Sequence, residues 1–94
     1  MAQLPRLSVL TVTRNCAKTI RRAIDSLLGQ EYPNLELIAI DGASTDGTRE
    51  ILLSYGDRIG IMVSEPDNGP QDAVNKGCRL ATGELLGLLS GDDV

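Results

Sequence analysis

The sequence contains no histidine and only two cysteines, Cys16 and Cys78, which are far apart along the chain. Zinc sites are built mainly from clustered cysteine and histidine ligands, so this composition argues against a zinc centre. We expect both cysteines to be reduced packing residues. Without histidine, any side chain that accepts a proton from a reacting hydroxyl group would have to be a carboxylate.

Long apolar segments, basic stripes and the common nucleotide-binding glycine loops are also missing. No stretch approaches the roughly 18 to 20 apolar residues that span a bilayer, and residues 1–7 lack the pattern of a secretory signal. We therefore expect a cytoplasmic protein that is membrane-associated through parts outside this sequence. The net charge is −4 and no basic stripe is present, so a nucleic-acid partner is not expected. Neither GxGxxG after the first apolar run nor GxxxxGK occurs, which excludes both common phosphate-binding loops.

Four short apolar runs alternate with three segments of helical character. In the first such segment, apolar residues recur at helical spacing from Ile20 to Leu28, and Gly29 ends the helix. The apolar runs predict strands at Leu7–Val12, Leu35–Ile40, Ile59–Ser64 and Glu84–Leu89. This alternation predicts one α/β domain over residues 1–94, with an open, mostly parallel sheet of strand order 3-2-1-4. We expect helices on both faces, the first two on one face and the third on the other.

The second and third helices have candidate capping residues. Ser44 or Thr45 is predicted to cap the second helix, and Asp67 or Asn68 the third, with Pro70 in its first turn.

Ligands of parallel sheets bind beyond the carboxyl ends of the strands. Polar residues follow every predicted strand here, and most of the charged ones are acidic: Thr13, Arg14, Asn15, Asp41, Glu65, Asp67, Asp92 and Asp93. The pattern predicts a cation at this edge, with Asp92 as a direct ligand of Mg²⁺ or Mn²⁺ and Asp93 beside it. Two plainer interpretations stay open, namely that the acidic pair is a solvated turn and that GASTDGT is an ordinary helix-capping turn.

Three segments together, SVLTVTRN, SLLGQEYPNLELIAIDGASTDGT and SEPDNGPQDAVNKGCRLATGELLGLLSGDD, resemble the nucleotide-binding half of family 2 glycosyltransferases over about residues 7–94. The resemblance implies a Rossmann-like GT-A fold and transfer of a sugar from a nucleotide-diphosphate sugar, often a UDP-sugar, to an acceptor hydroxyl. It implies that residues 12–15 lie along the nucleotide, that Asp41 recognises the base, and that the acidic pair binds the metal and the diphosphate. The implied nucleotide-binding residues are Val12, Thr13, Arg14, Asn15, Asp41, Asp67 and Asp92, with Asp92 and Asp93 at the metal.

The sequence departs from the usual family motifs in three places. Val12 stands where a proline is common, Gly42 replaces the second acid of DDGS, and Ser90 replaces the first acid of the DxD motif. The last difference leaves Asp92 as the main metal ligand and Asp93 as an auxiliary one. For Asp67, a nucleotide contact and a cap of the third helix remain alternatives.

The family's catalytic base lies well downstream, in an acceptor-binding half that is absent from these residues. No catalytic residue is therefore assigned within 1–94, and we expect nucleotide binding without turnover, with inversion of configuration in the full-length protein. The acceptor would be a glycan or a lipid-linked sugar. The fourth strand is expected to be an uncovered apolar edge, which favours pairing with a second copy of the chain or aggregation.

Three other classes are compatible with an α/β fold. A non-catalytic binding module would show no metal-dependent affinity for nucleotide diphosphates. Phospho-acceptor receiver domains resemble a different layout, with an acidic pair after the first strand, where this sequence has TVTRN. Nucleotidyltransferases have a glycine-rich, basic segment after the first strand, which is absent here.

Overall fold

The computed structural model describes residues 5–30, 32–66 and 68–90. The elements, in chain order, are β1 (Leu7–Thr13), α1 (Ile20–Leu28), β2 (Leu35–Asp41), α2 (Thr48–Leu53), a short 3₁₀ helix (Gly56–Arg58), β3 (Ile61–Ser64), α3 (Pro70–Leu80) and β4 (Leu85–Ser90). The described strands form one sheet in the order β3-β2-β1-β4, and every pairing is parallel. Both the predicted architecture and the predicted strand order are confirmed.

The two faces of the sheet carry separate apolar clusters. Helices α1 and α2 contribute Ile20, Ile24 and Leu52 to the first cluster, which packs on one face of β1 and β2. Helix α3 contributes Ala73 to the second cluster, which packs on the other face. The central strands β1 and β2 are therefore covered on both sides, which explains why their sequences are nearly continuous apolar runs. The predicted distribution of helices is confirmed.

The predicted cap of the second helix is wrong. Helix α2 begins at Thr48 with Gly47 at its N-cap, and no side chain caps it from that position. The Ser44 hydroxyl instead donates to Asp41, while the Thr45 backbone N–H donates to Asn15. Both candidate caps thus have other partners, and α2 begins later than the sequence predicted.

Helix α3 also begins differently. Gly69 is its N-cap, with φ of 110°, and Pro70 is its first residue. Asn68 contributes its backbone N–H, which donates to the Asp72 carboxylate in the first turn at 3.1 Å. The alternative cap, Asp67, lies outside the described residues.

Strand β4 is an edge of the described sheet and is apolar on both faces. It pairs with β1, and the side chains of Leu85, Leu86 and Leu88 are 50%, 55% and 68% exposed. None of the described helices is long and apolar enough to cross a membrane.

Candidate functional site

The carboxyl ends of the strands lie side by side along one edge of the sheet. The parallel register pairs Thr13 with Asp41 and Asp41 with Ser64, while Val12 pairs with Ser90 at the end of β4. The edge predicted from the sequence therefore exists, and Thr13 and Asp41 are neighbours on it. We call this row of strand ends the carboxyl edge.

Asp41 is fully buried at the centre of the carboxyl edge. Its Oδ1 accepts hydrogen bonds from the hydroxyls of Thr13 at 2.7 Å and Ser44 at 2.5 Å. Its Oδ2 accepts from the Ser44 backbone N–H and the Ser64 hydroxyl, each at 2.9 Å. Burial alone would raise the pKa of Asp41, but the hydrogen bonds from Ser44, Thr13 and Ser64 outweigh it and hold the pKa below its ordinary value. The side chain is therefore a carboxylate anion stabilised by neutral donors.

Two loops at the carboxyl edge are joined to each other. We call residues 14–19 the β1 loop and residues 42–47 the β2 loop. The Asn15 backbone N–H donates to the Ser44 hydroxyl, and the Thr45 backbone N–H donates to the Asn15 side-chain Oδ1, both at 2.8 Å. The Ala17 backbone N–H donates to the Asp46 carboxylate at 3.1 Å. Because these bonds run between loops far apart in sequence, the two loops form one surface.

Backbone conformation at this surface is unusual in two places. Asn15 and Ala43 both have positive φ, 51° and 57° respectively. Asparagine tolerates the left-handed region better than most residues, whereas an alanine there carries a steric cost. The bonded loops hold both residues in this conformation.

The predicted nucleotide-binding residues fall into three groups. Val12 is half-buried against the cluster beneath α3, and Thr13 is buried with its hydroxyl donating to Asp41. Arg14 and Asn15 are exposed in the β1 loop. Their contacts with a nucleotide, and the base contact implied for Asp41, stay predictions. The remaining predicted residues, Asp67, Asp92 and Asp93, lie outside the described residues.

Sequence reasoning missed two features of the site. It did not identify Ser44 and Ser64 as donors to Asp41, although hydroxyl residues at the ends of neighbouring parallel strands were a usable signal. It also grouped Glu65 with the free acids. In the structure, Lys76 of α3 forms an ion pair with Glu65 at 3.0 Å and a longer one with Asp72 at 3.7 Å. The i, i+4 spacing of Asp72 and Lys76 on a helix could have indicated that pair.

Within the part of the chain that the structure describes, no group of three or more His, Cys, Asp or Glu side chains could hold a metal ion. Asp41 does not fit such a role, because both of its oxygens already accept hydrogen bonds from the protein. The predicted ligands Asp92 and Asp93 have the carboxylate chemistry that suits Mg²⁺ or Mn²⁺. In the sequence they come after Gly91, which follows Ser90 at the end of β4, and they lie outside the described residues.

Comparison with known proteins gives a consistent result. The sequence matches the model of Glycosyl transferase family 2 over residues 8–94. It is 40% identical over 90 residues to an uncharacterized glycosyltransferase of Rickettsia typhi, a match that covers 96% of this chain and 28% of that relative. The chain thus spans under a third of the length of this curated relative.

Two solved structures have the same fold. A mannosyltransferase from Pyrobaculum calidifontis, in complex with GDP-Man and Mn²⁺, superposes with a TM-score of 0.86 and 33% identity, over 94% of this chain and 28% of that one. TarS residues 1–349 from Staphylococcus aureus, in complex with UDP-GlcNAc, superposes with a TM-score of 0.84 and 29% identity, over 93% of this chain and 26% of that one. The predicted Rossmann-like GT-A fold is confirmed.

Proposed function

Because this chain belongs to glycosyl transferase family 2, we propose that it is the nucleotide-sugar-binding part of a glycosyltransferase that transfers a sugar from a nucleotide-diphosphate sugar to an acceptor hydroxyl. The observation that carries the proposal is the carboxyl edge, where four parallel strands end together and two bonded loops form one surface. Open α/β sheets bind their ligands at such an edge. Structural similarity to a GDP-Man complex and a UDP-GlcNAc complex supports a nucleotide-sugar ligand.

We assign the nucleotide to the surface of the β1 and β2 loops. Val12, Thr13, Arg14 and Asn15 would run along it, with Asp67 as a further contact from the loop before α3. Asp92 would approach the diphosphate. The exposed guanidinium of Arg14 is a cationic group at this edge that can offset phosphate charge. We propose that the donor is a UDP-sugar. Binding of GDP rather than UDP would instead identify the donor as a GDP-sugar.

A divalent ion, Mg²⁺ or Mn²⁺, is proposed to bind through Asp92 with Asp93 as an auxiliary ligand. When bound, such an ion acts as a Lewis acid on the diphosphate leaving group. Mn²⁺ in the mannosyltransferase complex supports the use of a divalent ion. The protein residues at the carboxyl edge would bind and orient the donor. The catalytic base is proposed to lie downstream of residue 94, in a protein that inverts the anomeric configuration, so these 94 residues bind the donor without turning it over.

Calorimetric titration tests this proposal directly. UDP and GDP are titrated into the chain with Mn²⁺ present and again with a chelator, and the Asp92→Asn variant is titrated in the same way. We expect saturable binding that weakens by about tenfold or more without the metal and in the variant, since a charge-assisted contact is lost in each case. Absence of metal-dependent affinity for either nucleotide would overturn the proposal and favour a non-catalytic binding module.

The acceptor and the assembly state are further parts of the proposal. We propose a glycan or lipid-linked sugar as the acceptor, and a cytoplasmic, membrane-associated location for the full-length protein. We also propose that β4 pairs with a second copy of the chain, because it is an apolar edge with three exposed leucines. Sedimentation velocity should show a concentration-dependent dimer or larger species that Leu88→Lys suppresses. A monomer at all concentrations would contradict the pairing.

A further inference from the structure

Asp41 is the most heavily hydrogen-bonded side chain at the carboxyl edge, and no lysine or arginine among the described residues forms an ion pair with it. We propose that Asp41 is a positioning residue: it fixes the β1 and β2 loops in the geometry that binds the nucleotide and does not itself touch the nucleotide. This inference rests on the proposed function, and it differs from the base contact that the family resemblance implies.

The first argument is the number of acceptor sites. A carboxylate has about four lone-pair sites, and the two oxygens of Asp41 accept four hydrogen bonds from Thr13, Ser44 and Ser64. The residue is also fully buried. A donor group on a base would have to displace one of these protein donors and leave it unsatisfied in the interior, which is costly. The carboxylate is thus already satisfied without a ligand.

The second argument is where the donors come from. Thr13 ends β1, Ser64 ends β3, and Ser44 lies in the β2 loop. One side chain therefore ties together two strand ends and a loop that are all at the predicted nucleotide surface. Removing the carboxylate would release all three at once.

The third argument is the direction of the hydrogen bonds. A carboxylate anion only accepts, so the Ser44 hydroxyl must donate its proton towards Asp41. The lone pairs of that hydroxyl are then free to accept the Asn15 backbone N–H. Asn15 in turn accepts the Thr45 N–H through its side chain. The charge on the buried Asp41 therefore sets the orientation of donors and acceptors as far as the exposed Asn15.

The test compares Asp41→Asn with a matched control. In Asp41→Asn, the side-chain NH₂ group would face groups that themselves donate, namely the Ser44 N–H or a hydroxyl. The series of hydrogen bonds from Asp41 to Asn15 therefore breaks, without loss of side-chain volume. The control is Glu36→Gln, which neutralises the other buried carboxylate of β2, located at the opposite end of the strand and also bonded by four donors. Both variants are measured at a temperature where their thermal unfolding shows them to be folded.

Two measurements decide the outcome. Affinities for UDP, GDP and CDP should all fall by a similar factor of about ten in Asp41→Asn and stay within about twofold of wild type in Glu36→Gln. Without ligand, the backbone amide resonances of Asn15 and Thr45 should shift in Asp41→Asn and not in Glu36→Gln. If the first variant fails to fold, Ser64→Ala, which removes one donor to Asp41, replaces it, with an expected loss of about threefold for all three nucleotides.

The results separate positioning from recognition. A loss confined to one base, with the ratios among nucleotides changed, would show that Asp41 reads the base and would overturn the inference. Unchanged Asn15 and Thr45 amides would also overturn it. If the wild-type chain binds no nucleotide, the proposed function fails, while the amide shifts still decide whether Asp41 orders the two loops.

Discussion

Strand β2 carries two buried carboxylates, Glu36 near its start and Asp41 at its end, and they have different surroundings. Each accepts four hydrogen bonds. Because successive side chains of a strand alternate, Glu36 lies on the α3 face of the sheet and Asp41 on the face of α1 and α2. The donors to Glu36 include the Arg6 guanidinium at 3.1 Å, whereas those to Asp41 are hydroxyls and one backbone N–H.

The two carboxylates join different parts of the molecule. Glu36 joins β1, through Ser8 at 2.8 Å, to the connection between α3 and β4, through two bonds from Thr82 at 3.0 Å. That connection leads into the start of β4 and so lies at the end of the sheet opposite the carboxyl edge. Asp41 joins β1, β3 and the β2 loop at the carboxyl edge, and no lysine or arginine among the described residues forms an ion pair with it.

The largest expected effect concerns the Glu36 region. A Cβ at Gly83 would lie 2.5 Å from the Ser8 hydroxyl and 2.7 Å from both the Arg6 carbonyl oxygen and the Ser8 nitrogen. Because backbone atoms cannot move aside, Gly83→Ala should destabilise the fold by about 3 kcal/mol or more. Urea unfolding of the wild type and the variant measures this loss of unfolding free energy. Gly87→Ala is the control, since its Cβ would be at 3.6 Å from Val9, and a comparable loss there would contradict the explanation.

Removing either carboxylate should destabilise the protein by a similar amount. Glu36→Ala and Asp41→Ala each leave several buried donors without partners, so we expect a loss of about 2 to 3 kcal/mol for each. Arg6→Ala should cost about 0.5 kcal/mol or less, because its side chain is 46% exposed. Chemical unfolding of the three variants provides the measurement. A much smaller effect for Asp41→Ala would mean that its donors find other partners.

The pH dependence of stability should report the contribution of Glu36. Hydrogen bonds from the Thr82 N–H and from Ser8, Thr82 and Arg6 side chains lower the pKa of Glu36 from 4.5 to about 2, against the opposing effect of burial. A carboxyl group with a depressed folded-state pKa stabilises the fold above its unfolded pKa, so this contribution should be lost as the pH falls from about 4.5 to about 2. The pKa of Asp41 is lowered too, from 3.8, so its contribution declines at lower pH.

Urea unfolding of wild type and Glu36→Gln across the acidic range tests that assignment. The variant should show a flatter decline in stability between about pH 4.5 and pH 2, because it lacks the titrating group. Parallel curves for the two proteins would indicate that other carboxyl groups dominate acid unfolding.

A smaller effect, of opposite sign, is expected in the β2 loop. Ala43 has φ of 57°, a conformation that glycine adopts without steric cost. Ala43→Gly should therefore raise the free energy of unfolding by about 0.5 to 1 kcal/mol. Thermal unfolding can resolve this change. A decrease in stability would show that the methyl group makes a contact worth more than the relief of strain.

The sequence predicted the sheet well because its signals are local or periodic. Apolar runs marked all four strands, and their alternation with helices fixed the parallel order, which in turn put Thr13 beside Asp41. The polar contacts were less predictable. In the sequence, Ser44 and Thr45 are as consistent with helix caps as with the partners that they have in the structure, Asp41 and Asn15. Only the three-dimensional register brings Ser64 next to Asp41. The pairing of Lys76 with Glu65 depends likewise on where α3 lies on the sheet.

The location of both carboxylates on one central strand also bears on how the chain avoids misfolding. Glu36 and Asp41 are five positions apart, or roughly 17 Å along a strand. If β2 paired with β1 out of step by a single residue, every side chain would point to the opposite face. Both charges would then be buried away from their donors at the same time, so the correct alignment of β2 is enforced independently at each end.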